Sequence, residues 1–177
     1  MEDEDVRRPR FERIFRDHHA AVLAYALRRA DHARAQDAVS ETFLIAWRRF
    51  DALPEDPLPW LFGTARRVLA NQRRAEGHQR SVADRVAAEP AAPAPDPAQA
   101  LGEVGALRAA LARLAERDRE ALMLVAWEGL EPGAAARASG CARATFAVRL
   151  HRARRRLEHE LATTSYGPVA PETMETA

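Results

Sequence analysis

Residues 78–97, HQRSVADRVAAEPAAPAPDP, constrain the chain more than any other stretch. They end in Pro93, Pro95 and Pro97 and hold almost no large apolar residue. Proline lacks a backbone N–H and locks φ, so no helix or central strand runs through such a series. A segment this poor in apolar area cannot offset the entropy of ordering. It reads as a flexible Pro/Ala-rich linker, extended near its proline end. It divides the 177-residue chain into parts 1–77 and 98–162. Residues 163–177 contain two prolines and no apolar period, which predicts a disordered tail.

Both remaining parts read as all-α, giving two small helical domains with no strand. Ala, Leu, Arg and Glu dominate, and all favour helix. Phe11, Phe15, Val22, Leu23 and Leu27 repeat at helical spacing. A second helix carries Ala38, Val39, Phe43 and Trp47, and the proline-rich turn Asp51–Pro59 stops it. A third begins near Pro59 and carries Leu61, Phe62, Ala65, Val68 and Leu69. In the second part, Leu101, Val104, Leu107, Leu111 and Leu114 form one stripe. Glu120–Glu128 forms another helix, and two more flank Gly140.

Several function classes are disfavoured. The single cysteine, Cys141, excludes an internal disulfide framework and any Cys-rich zinc module. His18-His19 and His151…His159 lack zinc spacing, so no metal site and no cofactor are expected. No run approaches the roughly 18 apolar residues of a membrane span. The acidic start Met1–Asp5 lacks the basic and apolar regions of a signal peptide. These absences predict a cytoplasmic protein without membrane insertion. No nucleotide-binding, zinc-protease or serine-hydrolase signature is present, so no catalytic residue is assigned and no enzyme is expected.

Charge is informative in its distribution. All 27 basic residues are arginine, which reads first as a bias of base composition, and the net charge is only +1. Yet Arg143–Leu157 holds six arginines and no acid. Preceded by the Ala-rich EPGAAARASG, this stretch has the parts of a helix-turn-helix. Ala135, Ala136 and Ala138 permit close helix approach, and Gly140 can supply the positive φ that ends the first helix. Phe146, Leu150, Ala153 and Leu157 form the buried stripe of the second. Arg143, Ala147, Arg149, His151, Arg152, Arg154 and Arg156 are left outward. Arginines without neighbouring carboxylates suit phosphates and guanine edges. A basic, solvated terminal helix is the plainer alternative.

Two further segments are weaker signals. In WLFGTARRVLANQRR, beginning at Trp60, the residues Arg66, Arg67, Asn71, Arg73 and Arg74 project from an apolar stripe. Aromatics beside cations suit unpaired bases, although residues such as Trp60 and Phe62 are more often core than base platforms. In AQDAVSETFLIAWRRFD, Asp37 and Glu41 share one helical face, and Phe43 and Trp47 share another. Periodicity alone makes this an ordinary amphipathic helix.

The strings DAVSETFLIAWRRFD, PWLFGTARRVLANQRR, LARLAERDREALMLVAWEGLEPGAAARASG and ATFAVRLHRARRRL, in that order, resemble the extracytoplasmic-function (group IV) sigma factors of the sigma-70 family. The resemblance covers roughly residues 11–77 and 98–161. It implies a factor that binds core RNA polymerase through the β′ and β subunits and directs it to promoter DNA. Residues 1–77 would be region 2, and 98–162 would be region 4 with its helix-turn-helix. The helix with Asp37, Glu41, Thr42, Phe43 and Trp47 would dock on the β′ coiled coil. Trp60, Arg66, Arg67, Asn71, Arg73 and Arg74 would read the −10 element, where a base is flipped from the stack. Arg143, Thr145, Arg149, His151, Arg152 and Arg154 would read the −35 element in the major groove. An anti-sigma factor is an implied partner. A 20-residue linker at about 3.1 Å per residue reaches roughly 60 Å, close to 18 base pairs at about 3.4 Å each.

The chain departs from the family pattern at several positions. Arg67 stands where Asn is common, and Ala142 where a capping Ser is frequent, a loss of about 1 kcal/mol. Pro132-Gly133 opens the first helix of the pair in place of a polar pair. Ala147 and Val148 replace polar or basic residues, which shifts −35 readout toward thymine methyl groups. The competing readings are a helix-turn-helix regulator that binds DNA without polymerase, and an interaction protein that binds another regulator. The first class usually dimerises on half-sites, and no dimerisation coiled coil is apparent.

Overall fold

The structure, a computed structural model, describes residues 4–83 and 103–165. Among them lie α1 (Glu4–Leu27), α2 (His32–Arg48), a 3-10 turn (Phe50–Ala52), α3 (Leu58–Ala83), α4 (Glu103–Arg113), α5 (Glu116–Ala126), α6 (Pro132–Ser139) and α7 (Arg143–Ser165). No strand occurs among the described residues. The expected extended stretch, from residue 84 to 97, and the tail beyond 165 lie outside them.

Local chemistry explains the helix ends. The Asp31 side chain caps α2 by accepting from the Arg34 N–H at 3.0 Å. Glu116 and Asp118 stand in the first turn of α5, where the helix dipole favours anions. Pro132 occupies the first turn of α6. Gly140 closes α6 with φ 67°, and its N–H donates to carbonyls of the last turn. Gly129 turns the chain between α5 and α6 with φ 65°. α7 starts without a side-chain cap from Ala142, whose carbonyl accepts from the Phe146 N–H at 2.9 Å.

Two helix ends differ from the sequence expectation. α3 continues to Ala83, five residues past the expected start of the linker at 78. Residues 78–83 contain neither Pro nor Gly, so nothing breaks the helix there. α7 continues to Ser165, two residues beyond the expected start of the tail at 163. The Thr163 hydroxyl donates back to the carbonyls of Glu160 and His159 at 2.9 and 3.2 Å.

The first three helices pack around Val22, Tyr25, Ala38, Val39, Phe43, Ala46, Leu61, Phe62 and Ala65, all buried. Phe11, Trp47 and Phe50 extend this core as an aromatic cluster, with edge-to-face contacts of 5.1 Å (Phe11–Trp47) and 6.3 Å (Phe11–Phe50). Helices α4–α7 enclose Ala110, Leu114, Leu124, Ala135, Ala136, Phe146, Leu150 and Ala153. Asp118 is buried and pairs with Arg156, tying α5 to α7. Phe15, Leu27 and Val104, read as core positions from their spacing, are exposed. Phe15 is only partly uncovered, since its ring still meets Phe43 of α2 at 4.8 Å.

The two halves share one core. α3 packs directly on α6, and the buried cluster runs from Val22 to Ala153 without interruption. At the crossing, a Cβ on Gly63 would lie 2.9 Å from the Ala138 carbonyl oxygen, so only glycine permits this approach.

The backbone at α6 makes a testable contrast. Gly140→Ala places a Cβ in left-handed backbone and should cost about 1–2 kcal/mol. Gly133→Ala lies in α6 with open space around its Cβ, and should be neutral or gain up to about 1 kcal/mol. Urea unfolding of the full chain tests both. Equal effects at the two positions would contradict this account of the turn.

Candidate nucleic-acid interface

The basic helix α7 is anchored by four residues and open elsewhere. Phe146, Leu150 and Ala153 are buried and Leu157 is half-buried, as their spacing predicts. At 3.6 residues per turn, the line opposite that stripe is Ala144, Val148, Arg155, with His151 and Arg152 on either side. All five are exposed, and Val148 is 51% exposed. Arg143, Thr145 and Arg154 are exposed on the flanks. Arg149 is half-buried, with its guanidinium 3.7 Å from the Cys141 sulfur. Arg156 is spent on Asp118. Val148, expected to shift readout toward thymine methyl groups, thus lies on the outward line with Ala147 exposed beside it, whereas Ala144 and Arg155 were not among the expected contacts, although projecting the sequence onto a helical wheel would have found them.

On α3 the expected reader residues divide into two groups. Arg67, Asn71 and Arg74 face solvent. Arg67 folds back, its Nε donating to the Gly63 carbonyl at 3.1 Å, and Arg74 contacts the Asn71 side-chain oxygen. Trp60 is half-buried and packs on the core. Arg66 and Arg73 instead reach the second half: Arg66 Nη2 donates to the Ser139 carbonyl at 3.2 Å, and Arg73 pairs with Glu116.

On α2, Asp37 and Glu41 are exposed one turn apart. Thr42 and Phe43 point inward, and the Thr42 hydroxyl donates to the Ala38 carbonyl at 2.6 Å. They support the helix and are closed to a partner in this state. Trp47 is half-buried beneath Arg7, whose guanidinium sits 4.7 Å from its ring centroid. The outward row is completed by Leu44, 48% exposed, and Arg48. Leu44 escaped the sequence reading because aromatic spacing drew attention to the buried face.

A polar cluster joins the halves. Tyr25 O–H donates to Glu120 at 2.7 Å, and Arg29 Nε donates to the other oxygen of Glu120 at 2.9 Å. Arg29 Nη1 donates to Glu128 at 3.0 Å, and Arg28 also pairs with Glu128. Burial and the Glu120 carboxylate push the Tyr25 phenol well above its ordinary pKa, which keeps it a donor. Burial opposes the Arg29 charge, but Tyr25, Glu120 and Glu128 outweigh it and raise the pKa. No group of three or more potential metal ligands occurs among the described residues. No helix among the described residues is long and apolar enough to cross a membrane.

Both halves of the chain are similar to known proteins. Residues 14–79 match the family model for sigma-70 region 2, and residues 105–157 match that for sigma-70 region 4. The chain is 33% identical over 151 residues to the ECF RNA polymerase sigma factor SigL of Mycobacterium tuberculosis, covering 82% of this chain and 85% of that protein. It is 36% identical over 140 residues to the ECF RNA polymerase sigma factor EcfG of Rhodopseudomonas palustris, covering 77% of each. The sigma factor RpoE from Bartonella quintana, solved in complex with the anti-sigma factor NepR, has 29% identity and a TM-score of 0.65, over 86% of this chain and 96% of that one. CnrH, solved with the cytosolic domain of CnrY, shares the fold at 22% identity and a TM-score of 0.57. The chain belongs to the sigma-70 family as an ECF sigma factor, a protein that directs RNA polymerase in transcription initiation.

Proposed function

We propose that three helix faces divide the work of this sigma factor. α7 reads the −35 element in the major groove, α3 with the loop before it reads the −10 element, and α2 docks on the β′ coiled coil. The observation that carries the first assignment is the exposed, carboxylate-free face of α7 from Arg143 to Arg155. Arg152 and His151 lie where base edges or phosphates would meet the helix, and Arg143 and Arg154 flank them toward the backbone. Ala144 and Val148 offer methyl groups in place of donors, which suits thymine.

On α3, Arg67, Asn71 and Arg74 are the accessible contacts for an unpaired strand, with Arg66 and Arg73 joining once freed from the second half. On α2, Asp37, Glu41, Leu44 and Arg48 form one row that fits a helical partner carrying an apolar stripe and basic flanks. Residues 1–77 and 98–162 thus act as separate functional halves. The chain supplies recognition and strand opening, and the polymerase supplies the chemistry. Its place of action is the cytoplasm, where its two macromolecular partners reside. An anti-sigma factor is the expected regulator, as the RpoE–NepR complex illustrates for a related protein.

Two substitutions separate these roles. Arg152→Ala should lower run-off transcription from a cognate promoter, by about tenfold if one good base contact is lost, with polymerase affinity unchanged. Equal loss of both activities would reject the assignment of α7. Asp37→Arg combined with Glu41→Arg should weaken binding to core polymerase in a direct titration, with the helical circular dichroism signal preserved. Wild-type affinity in that double variant would exclude α2 as the docking face.

A further inference from the structure

We propose that Arg67 reads a guanine of the −10 element through the outer edge of its guanidinium, and that Thr64 is a positioning residue that holds the inner edge. The inference rests on the assignment of α3 to the −10 element made above, and names the base that this face selects.

The anchor is a short chain of hydrogen bonds along one side of α3. A guanidinium has a side-on edge formed by Nε and Nη2, and an outer edge formed by Nη1 and Nη2. Arg67 Nε donates to the Gly63 carbonyl at 3.1 Å, and Nη2 donates to the Thr64 hydroxyl at 3.5 Å. Thr64 is 4% exposed, and its own proton goes to the Trp60 carbonyl at 2.9 Å. The hydroxyl oxygen therefore meets Arg67 as an acceptor. Both contacts use the side-on edge. The outer edge stays open on an exposed side chain.

The neighbouring residue narrows what can bind. Asn71 lies one turn further along the same exposed face. Its side-chain oxygen already accepts from Arg74 Nη2, which biases the amide toward donating to a ligand. The face thus offers chiefly N–H donors. Guanine presents O6 and N7, two adjacent acceptors that match an arginine fork. Adenine sets an N6 donor beside N7, cytosine presents an N4 donor, and thymine a single O4 acceptor. A phosphate also accepts a fork, but every nucleotide carries one and a mobile cation meets it as well. Anchoring gains most against a base edge, because it fixes the direction of the fork and reduces the freedom lost on binding.

The test uses the full chain reconstituted with core bacterial RNA polymerase. The template is a promoter mapped by run-off transcription, with its −10 segment randomised and each copy carrying a transcribed barcode. Sequencing the transcripts should show guanine preferred at one −10 position by about tenfold. Arg67→Ala should abolish that preference and leave the other positions as they were. Thr64→Val keeps the shape without the acceptor, and should weaken the same preference with circular dichroism unchanged. Thr64→Ser keeps the hydroxyl and should retain the preference. A merely structural role for Thr64 would shift all positions together. Absence of a guanine preference in the wild type overturns the proposal. If Arg67→Ala lowers transcription evenly across all templates, Arg67 holds a phosphate, so the proposal fails and the reader assignment stands. If Arg67→Ala alters neither output nor selection, the reader assignment of Arg67 fails as well. Wild-type selection by Thr64→Val, or a loss that Thr64→Ser shares, overturns the role of Thr64.

Discussion

Arg29 sits where the two halves of the chain meet, and the closed structure depends on how its charge is satisfied. A guanidinium this deep requires partners, because removing one partner of a buried pair costs about 3–5 kcal/mol. Its partners are Glu120 and Glu128, which lie 91 and 99 residues further along the chain. Tyr25 completes the arrangement by donating to Glu120 while its ring lies under the Arg29 guanidinium at 3.5 Å. The same ring stacks on Phe62 at 4.8 Å, so the ion cluster rests on the hydrophobic core of the first three helices. Around this anchor, α3 and α6 approach closely enough that Gly63 faces backbone.

The placement of acids and bases follows from the same economy. The acidic side chains of the second half largely turn toward arginines within the protein: Glu116 to Arg73, Asp118 to Arg156, and Glu120 and Glu128 to Arg29. That leaves the outer face of α7 without a carboxylate from Arg143 to Leu157. A chain with a net charge of only +1 can thereby present a strongly basic surface to DNA. The surface is kept by internal pairing and does not need an excess of arginine overall.

Much of the architecture was legible along the chain. The 3.6-residue period located the helices, the alanines of α6 indicated close packing, and Gly140 was correctly placed in left-handed backbone. Periodicity failed at Phe15, Leu27 and Val104, which are exposed. An apolar stripe marks the direction of a core but not how far its neighbours extend. The candidate site was legible in outline. Thr42 and Phe43 carry the family motif yet point inward, while Leu44 and Val148 face outward. A motif string does not distinguish residues that touch a partner from residues that support them. Gly63 carried an overlooked signal, since glycine inside a run of strong helix formers weakens the helix unless another backbone must come near.

The sequence alone determined that the chain is helical, that a proline-rich segment separates two halves, and that one helix gathers arginines without acids. These properties depend on residues a few positions apart, through backbone propensity, side-chain period and local charge. Tertiary structure alone decided that Arg28 and Arg29 meet Glu128, that Arg66 and Arg73 are engaged by the second half, and that Gly63 lies against Ala138. Each of these contacts joins residues far apart in the chain. Nothing in their local surroundings specifies the partner, which only the docking of two completed helix bundles brings within reach.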